Sequence, residues 1–168
     1  AIMGFLDSWD FEKPVESEAR IRELLAGGTV LSLVDLGVIN SVSVTGNEVK
    51  IEMTPTFVGC PALDMMQHEI REVLSKKGVA KVDIEVSFRQ PWTSDRISEK
   101  GRHALKQFGL SPPPPRQLFA DLDILENATC PRCNNTNTEL RNTFGATLCR
   151  AIYYCHDCRD AFEQFKPL

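Results

Sequence analysis

Nothing in the 168-residue sequence approaches the run of roughly 20 apolar residues that crosses a bilayer, and no stretch has the form of a secretory h-region. Basic charge is also scarce. Nineteen Lys and Arg stand against 23 Asp and Glu, a net charge of -4, so the counterion release that rewards nucleic-acid binders is not on offer. Neither a membrane nor a nucleic-acid partner is expected. Histidine is rarer still, with three in the chain. His68 falls on the helix that would follow Cys60 and His103 is remote, so a Cys–His nucleophilic pair has little support. Internal repeats are absent, and Pro112–Pro115 is the one low-complexity segment.

Cysteine, by contrast, is not lacking. Six occur, four of them in C-x-x-C pairs, which points to a reducing compartment and metal ligation rather than a disulfide framework. A cytoplasmic protein is expected. The balance of 42% hydrophobic and 25% charged residues is that of a soluble globular chain able to bury a core.

Residues 1–13 carry Phe5, Trp9 and Phe11 among acids without a clear period and read as a loosely ordered arm. A domain over 14–111 follows. Pro14 suits a first helical turn, Ala19, Ile21, Leu24 and Leu25 give an apolar face, and Gly27-Gly28 end the helix. Apolar residues then alternate over 38–44 and 49–53 around a Gly46-Asn47 turn, the pattern of a β-hairpin. Leu63, Met66, Ile70, Val73 and Leu74 recur at helical steps from Pro61 to Lys77, with Gly78 as the stop. Val82, Ile84, Val86 and Phe88 predict a third, half-buried strand, and Thr93 or Ser94 a cap for a helix through Ile97, Leu105 and Phe108 to Gly109. The expected class is therefore α+β, a small sheet of a hairpin plus one further strand packed with helices. Residues 112–129 form a proline-rich linker, semi-rigid where the prolines run. Leu118, Phe119, Leu122, Ile124 and Leu125 within it could add an edge strand or pack onto the first domain.

The 130–168 module holds the strongest signal. Cys130-Pro131-Arg132-Cys133 and Cys155-His156-Asp157-Cys158, with 21 residues between the pairs, have the spacing of two C-x-x-C turns closing on one metal. Four thiolates at about 2.3 Å complete a tetrahedral zinc shell, which makes the site structural, and a module this small needs such a staple. Iron also suits four thiolates, but zinc is the commoner structural occupant. Leu140–Phe144 and Ala151–Tyr154 read as ribbon strands about Gly145, His156 as a surface residue, and Cys149 as a buried strand thiol.

Cys60 belongs to no pair. With Pro61 at a first helical position it would lie at or beside an N-cap, where the helix dipole and unpaired amides stabilise a thiolate. It could serve as a nucleophile, a transient metal or cluster ligand, or a small buried side chain. Asp35, an acid within an apolar segment, either caps a turn or orients a group at the Cys60 pocket.

Val34-Asp35-Leu36-Gly37-Val38-Ile39, Thr54-Pro55-Thr56 running into Gly59-Cys60-Pro61, and Pro91-Trp92-Thr93 resemble the metal-sulfur cluster assembly domain also found in SufT-like proteins. With the polyproline spacer, Asn142-Thr143-Phe144-Gly145-Ala146-Thr147-Leu148-Cys149 and the closing Tyr154–Cys158 motif, the chain from about residue 18 onward resembles the PaaD family, the D subunits of phenylacetyl-CoA epoxidase. The sequence departs from the family where an Asp-Pro-Glu signature would stand, having Ala26-Gly27-Gly28-Thr29-Val30 instead, and it lacks a further cysteine near residue 168.

The resemblance implies an accessory protein of bacterial phenylacetate degradation that does not itself perform epoxidation. It would assist assembly or maturation of an iron-sulfur or di-iron centre, with the oxygenase and iron-sulfur reductase components as partners. Cys60 would hold iron or a nascent cluster in passing, supported by Asp35. Cys130, Cys133, Cys155 and Cys158 would hold structural zinc. One thiolate leaves most coordination positions open, so a homodimer across the Cys60 pocket is a natural arrangement. The competing reading is a non-catalytic zinc-ribbon module that holds oxygenase components together.

Overall fold

A computed structural model of the protein describes residues 17–27, 32–114 and 128–166. The aromatic arm, the Pro14 helix start and the apolar 118–125 segment lie outside them. Helix α1 (Glu18–Gly27) is followed by the hairpin of β1 (Ile39–Thr45) and β2 (Glu48–Met53). The two-residue connection works because Gly46 takes a left-handed φ of 58°, which costs glycine little. Helix α2 (Leu63–Lys76) carries the chain across to β3 (Lys81–Val86), which lies parallel to β2. Sheet order is β1-β2-β3, and the register aligns Val42, Ile51 and Ile84 in one row and Val44, Val49 and Val82 in the next. Alternation places these side chains on one face, and α1 and α2 pack with that sheet to enclose Ile21, Leu24, Ile70 and Leu74.

A register shift between Ile39 and Ser41 interrupts the β1–β2 ladder at Asn40. Such an irregularity re-aims a side chain. Here the Asn40 amide donates to Thr54 Oγ1 at 2.8 Å, and Thr54 Oγ1 donates in turn to the Ser87 carbonyl at 2.8 Å. One buried hydroxyl thus ties the ends of all three strands together just before the Cys60 loop. Replacing Thr54 with Val keeps its shape but strips both bonds, so urea unfolding should show a loss of about 1–3 kcal/mol. An unchanged midpoint would refute this role for Thr54.

The remaining segments differ from the sequence expectations in definite ways. Phe88 lies beyond β3 and is exposed. The helix expected from Thr93 is split into a 3-10 turn (Ser94–Arg96) and α3 (Glu99–Gln107), because Ser98 caps α3: its Oγ accepts from the Gly101 amide. A two-residue strand β4 (Leu110–Ser111) precedes the prolines. The second sheet contains β5 (Thr138–Asn142), β6 (Arg150–Cys155) and β7 (Asp160–Phe165) in the order β4-β7-β6-β5. Strand β5 begins two residues earlier than expected and leaves Phe144 exposed, and β7 has no counterpart among the expected strands.

Strand β4 pairs parallel with β7, so a segment preceding the prolines edges the cysteine-bearing sheet. Phe165 joins the larger hydrophobic core, its ring 5.7 Å from that of Trp92. Trp92 also donates its indole N–H to the Leu36 carbonyl at 2.9 Å. The second sheet has its own small core of Ala128, Ala151, Tyr153 and Phe162 around the buried Cys130 and Cys155.

Candidate metal and thiol sites

The four paired cysteines converge. Their sulfurs all lie within 4.8 Å of one another, with Cys130–Cys158 at 3.6 Å and Cys133–Cys155 at 3.5 Å. A tetrahedral zinc with bonds of about 2.3 Å would set its sulfurs about 3.8 Å apart, so the donor set fits. Each C-x-x-C turn is followed by a left-handed residue, Asn134 at φ 62° and Arg159 at φ 56°, which gives the two knuckles the same reversal. The Cys158 amide, then that of Asp157, donates to the Cys155 sulfur and pulls its thiol down to about 7. Cys158 is the most exposed of the four residues, yet withdrawal of its sulfur from water and the neighbouring thiols push it up to about 12. Four such groups cannot all ionise side by side unaided, and a divalent cation resolves that conflict. His156 stands outside the set, 3.2 Å from Glu139.

Cys60 lies on the 54–62 loop, its amide donating to the Phe57 carbonyl at 3.2 Å and its carbonyl accepting from Leu63 at 3.1 Å. Gly59 beside it takes φ 112° with open space where a Cβ would be. The helix starts later than the sequence implies. Its N-cap is Ala62, so Pro61 is not the first helical residue and Cys60 stands two positions before the cap. A pyrrolidine ring can occupy the turn before a helix as readily as its first position, which is why the spacing misplaces the start.

Half-buried, Cys60 lines an apolar cavity of about 150 Å³ with Leu33, Leu36, Val38, Met66 and Phe165. Small-molecule sites usually enclose roughly 300–1,000 Å³, so this cavity suits an ion or a very small cluster. Its mouth is apolar as well, since Phe57 and Leu148 are 40% and 46% exposed.

Asp35 is not among the residues lining that cavity. Its Oδ1 accepts from Ser98 Oγ at 2.8 Å, Oδ2 lies 3.5 Å from Lys100 Nζ, and its carbonyl accepts from the Ser98 amide at 2.8 Å. The contact is close: a Cβ on Gly101 would come within 2.5 Å of the Asp35 carbonyl oxygen. Asp35 therefore fastens the 32–37 turn to α3, and that turn presents Leu33 and Leu36 to the cavity.

Cys149, expected as a buried strand thiol, instead precedes β6, is half-buried, and lines the Cys60 cavity. The alternating pattern Ala151, Tyr153, Cys155 is buried, but it does not extend back to Cys149. No local sequence signal could place it there, because the placement depends on how the second sheet docks.

Among the described residues no helix is long and apolar enough to cross a membrane. Residues 18–88 match the family model for an iron-sulfur cluster assembly protein, and residues 116–166 that for the PaaD zinc beta ribbon domain. The chain is 36% identical over 137 residues to a protein of Escherichia coli K12 described as a candidate D component of 1,2-phenylacetyl-CoA epoxidase, covering 82% of each chain. It is 38% identical over 72 residues to an Fe-S protein maturation auxiliary factor of Porphyromonas gingivalis, covering 42% of this chain and 69% of that one. Two solved structures are similar in part. A DUF59 domain from Bacillus anthracis is 26% identical with a TM-score of 0.49, over 52% of this chain and 90% of its own. A conserved hypothetical protein from Thermotoga maritima is 28% identical with a TM-score of 0.46, over 55% and 94%.

Proposed function

Because the chain belongs to the family of phenylacetyl-CoA epoxidase D subunits, we propose that it is an accessory component of a multicomponent ring oxygenase in phenylacetate degradation, assisting assembly or maturation of an iron-sulfur or di-iron centre in its partners. Support comes from the match of residues 18–88 to an iron-sulfur assembly family and from the 72-residue similarity to an Fe-S protein maturation auxiliary factor. The observation that carries the reading is Cys60, a half-buried thiol of this region that lines a small apolar cavity and stands outside the four-cysteine cluster.

In this reading iron or a nascent cluster is cargo. Cys60 gives up its proton to solvent as its sulfur bonds iron, and Asp35 acts as a positioning residue that holds the cavity's 32–37 wall. Zinc on Cys130, Cys133, Cys155 and Cys158 maintains the ribbon. The Cys60 cavity of about 150 Å³ has no room for a CoA thioester, so its cargo is small. The oxygenase and iron-sulfur reductase components are the clients, met in a reducing cytoplasm. The apolar mouth at Phe57 and Leu148 is where a client, or a second copy of this chain, would share the cargo.

Metal and sulfide analysis of anaerobically purified protein tests this. Wild type and Cys60→Ser should each keep one zinc. Iron affinity should fall more than about tenfold in the variant, since even outer-sphere changes cost 10–100-fold. Equal iron in both, with normal maturation of the partner centres, would favour a chain that only holds oxygenase components together.

A further inference from the structure

We propose that Cys149 is the second protein ligand to the iron that Cys60 carries, so that the cargo site is built jointly by the 18–88 region and the ribbon. This rests on the cargo reading above and assigns a residue that reading leaves idle. Both cysteines line the one small cavity, from opposite sides of the contact between the two regions, and neither is bridged or part of the four-cysteine cluster. Soft thiolates suit iron, and two of them remove the difficulty of an ion held by a single protein sulfur.

Cys149 is also held in place. Its carbonyl accepts from the Lys166 amide at 2.9 Å, and its sulfur lies 3.1 Å from Thr147 Oγ1. The turn before it is closed by Gly145 donating to the Arg150 carbonyl at 2.8 Å and by Glu163, which accepts from the Ala146 amide at 2.7 Å and from Arg150 Nη1 at 3.0 Å. Gly145 fits there because a Cβ would meet Glu163 Oε1 at 2.5 Å. These contacts fix the backbone that presents Cys149 at the cavity.

Arg150 also lines the cavity, and its Nε is buried with no hydrogen-bond partner. A buried donor without an acceptor is costly, and metal-bound thiolates in the same cavity would offer that N–H an acceptor, while Nη1 stays paired with the Glu163 carboxylate. On binding ferrous iron, the Cys60 and Cys149 sulfurs each release a proton to solvent and form one S–Fe bond. No electron moves. The remaining positions stay open to sulfide and to donors of the receiving protein, which is what a carrier that must let go needs.

The test is ferrous iron titration of the full, zinc-loaded chain under anaerobic reducing conditions. Readouts are iron and zinc content, the sulfur count at iron by X-ray absorption, and protection of each thiol from alkylation. Wild type should show two protein sulfurs at iron and iron-dependent protection of both Cys60 and Cys149. Cys60→Ser and Cys149→Ser should each lose iron affinity more than about tenfold while retaining one zinc. Should Cys149→Ser also lose zinc, the alkylation of wild type decides the matter without any variant. Iron protecting Cys60 but leaving Cys149 equally reactive would overturn the shared site and leave the cargo reading standing. Protection of neither, with iron binding intact in Cys60→Ser, would overturn both.

Discussion

Chelation of zinc is expected to unfold the ribbon over residues 128–166 and to disturb the neighbouring core with it. The module's own apolar core is small, comprising Ala128, Ala151, Tyr153 and Phe162 beside the buried cysteines. Structural zinc typically contributes about 10–16 kcal/mol to domains of this kind, far more than such a core supplies. Cys130→Ser and Cys155→Ser should reproduce the result, because removing one of four ligands opens a shell that only the full set closes. The effect should spread, since Phe165 on β7 contacts Trp92 and β7 pairs with β4. In a Trp9→Phe background, Trp92 emission should shift to the red as zinc is withdrawn, alongside loss of amide protection in β6 and β7. Emission that stays fixed while those amides exchange would show the ribbon to be a passenger. Protons compete with the metal for thiolates, so zinc retention should weaken as the solution is acidified.

Phe165→Ala, with zinc in place, should lower the unfolding free energy by about 3–5 kcal/mol, and Phe165→Leu by appreciably less. Phe165 is 5% exposed, belongs to the larger core rather than that of its own sheet, and walls the Cys60 cavity. Truncation removes its packing, its tilted contact with Trp92 and the closure of the cavity at one stroke. Guanidinium titration monitored by far-UV dichroism measures the cost. A loss below about 1 kcal/mol, the scale of an aromatic contact alone, would mean that the two regions merely touch.

The hairpin, α2 and β3 are legible in the sequence because each buries one face and leaves the other in water, which imprints a period of two or 3.6. The four-cysteine cluster is legible because its spacing is a covalent constraint on which residues can meet. What escapes is what long-range partners decide. Strand β7 reads poorly since Gln164 is buried and Glu163 is engaged by Arg150 and Ala146, so its polar residues do not mark a solvent face. Strand β4 is two residues long and exists through its pairing with β7. Asp35 is visible as an acid among apolar residues, but its turn toward Ser98 and Lys100 depends on where α3 settles. Cys149 reads as an ordinary strand thiol because the cavity that it enters is made by two distant stretches of chain.

Strand β7 has a consequence for the order of events during synthesis. A ribosome releases residues 33–66 well before residues 147–165, so the Cys60 loop emerges while the facing wall of its cavity has not yet been translated. That wall belongs to the ribbon, whose folding is expected to depend on its metal. A nascent chain therefore presents an open groove at Cys60, and if the ribbon needs its metal to fold, the same groove would mark a metal-starved chain.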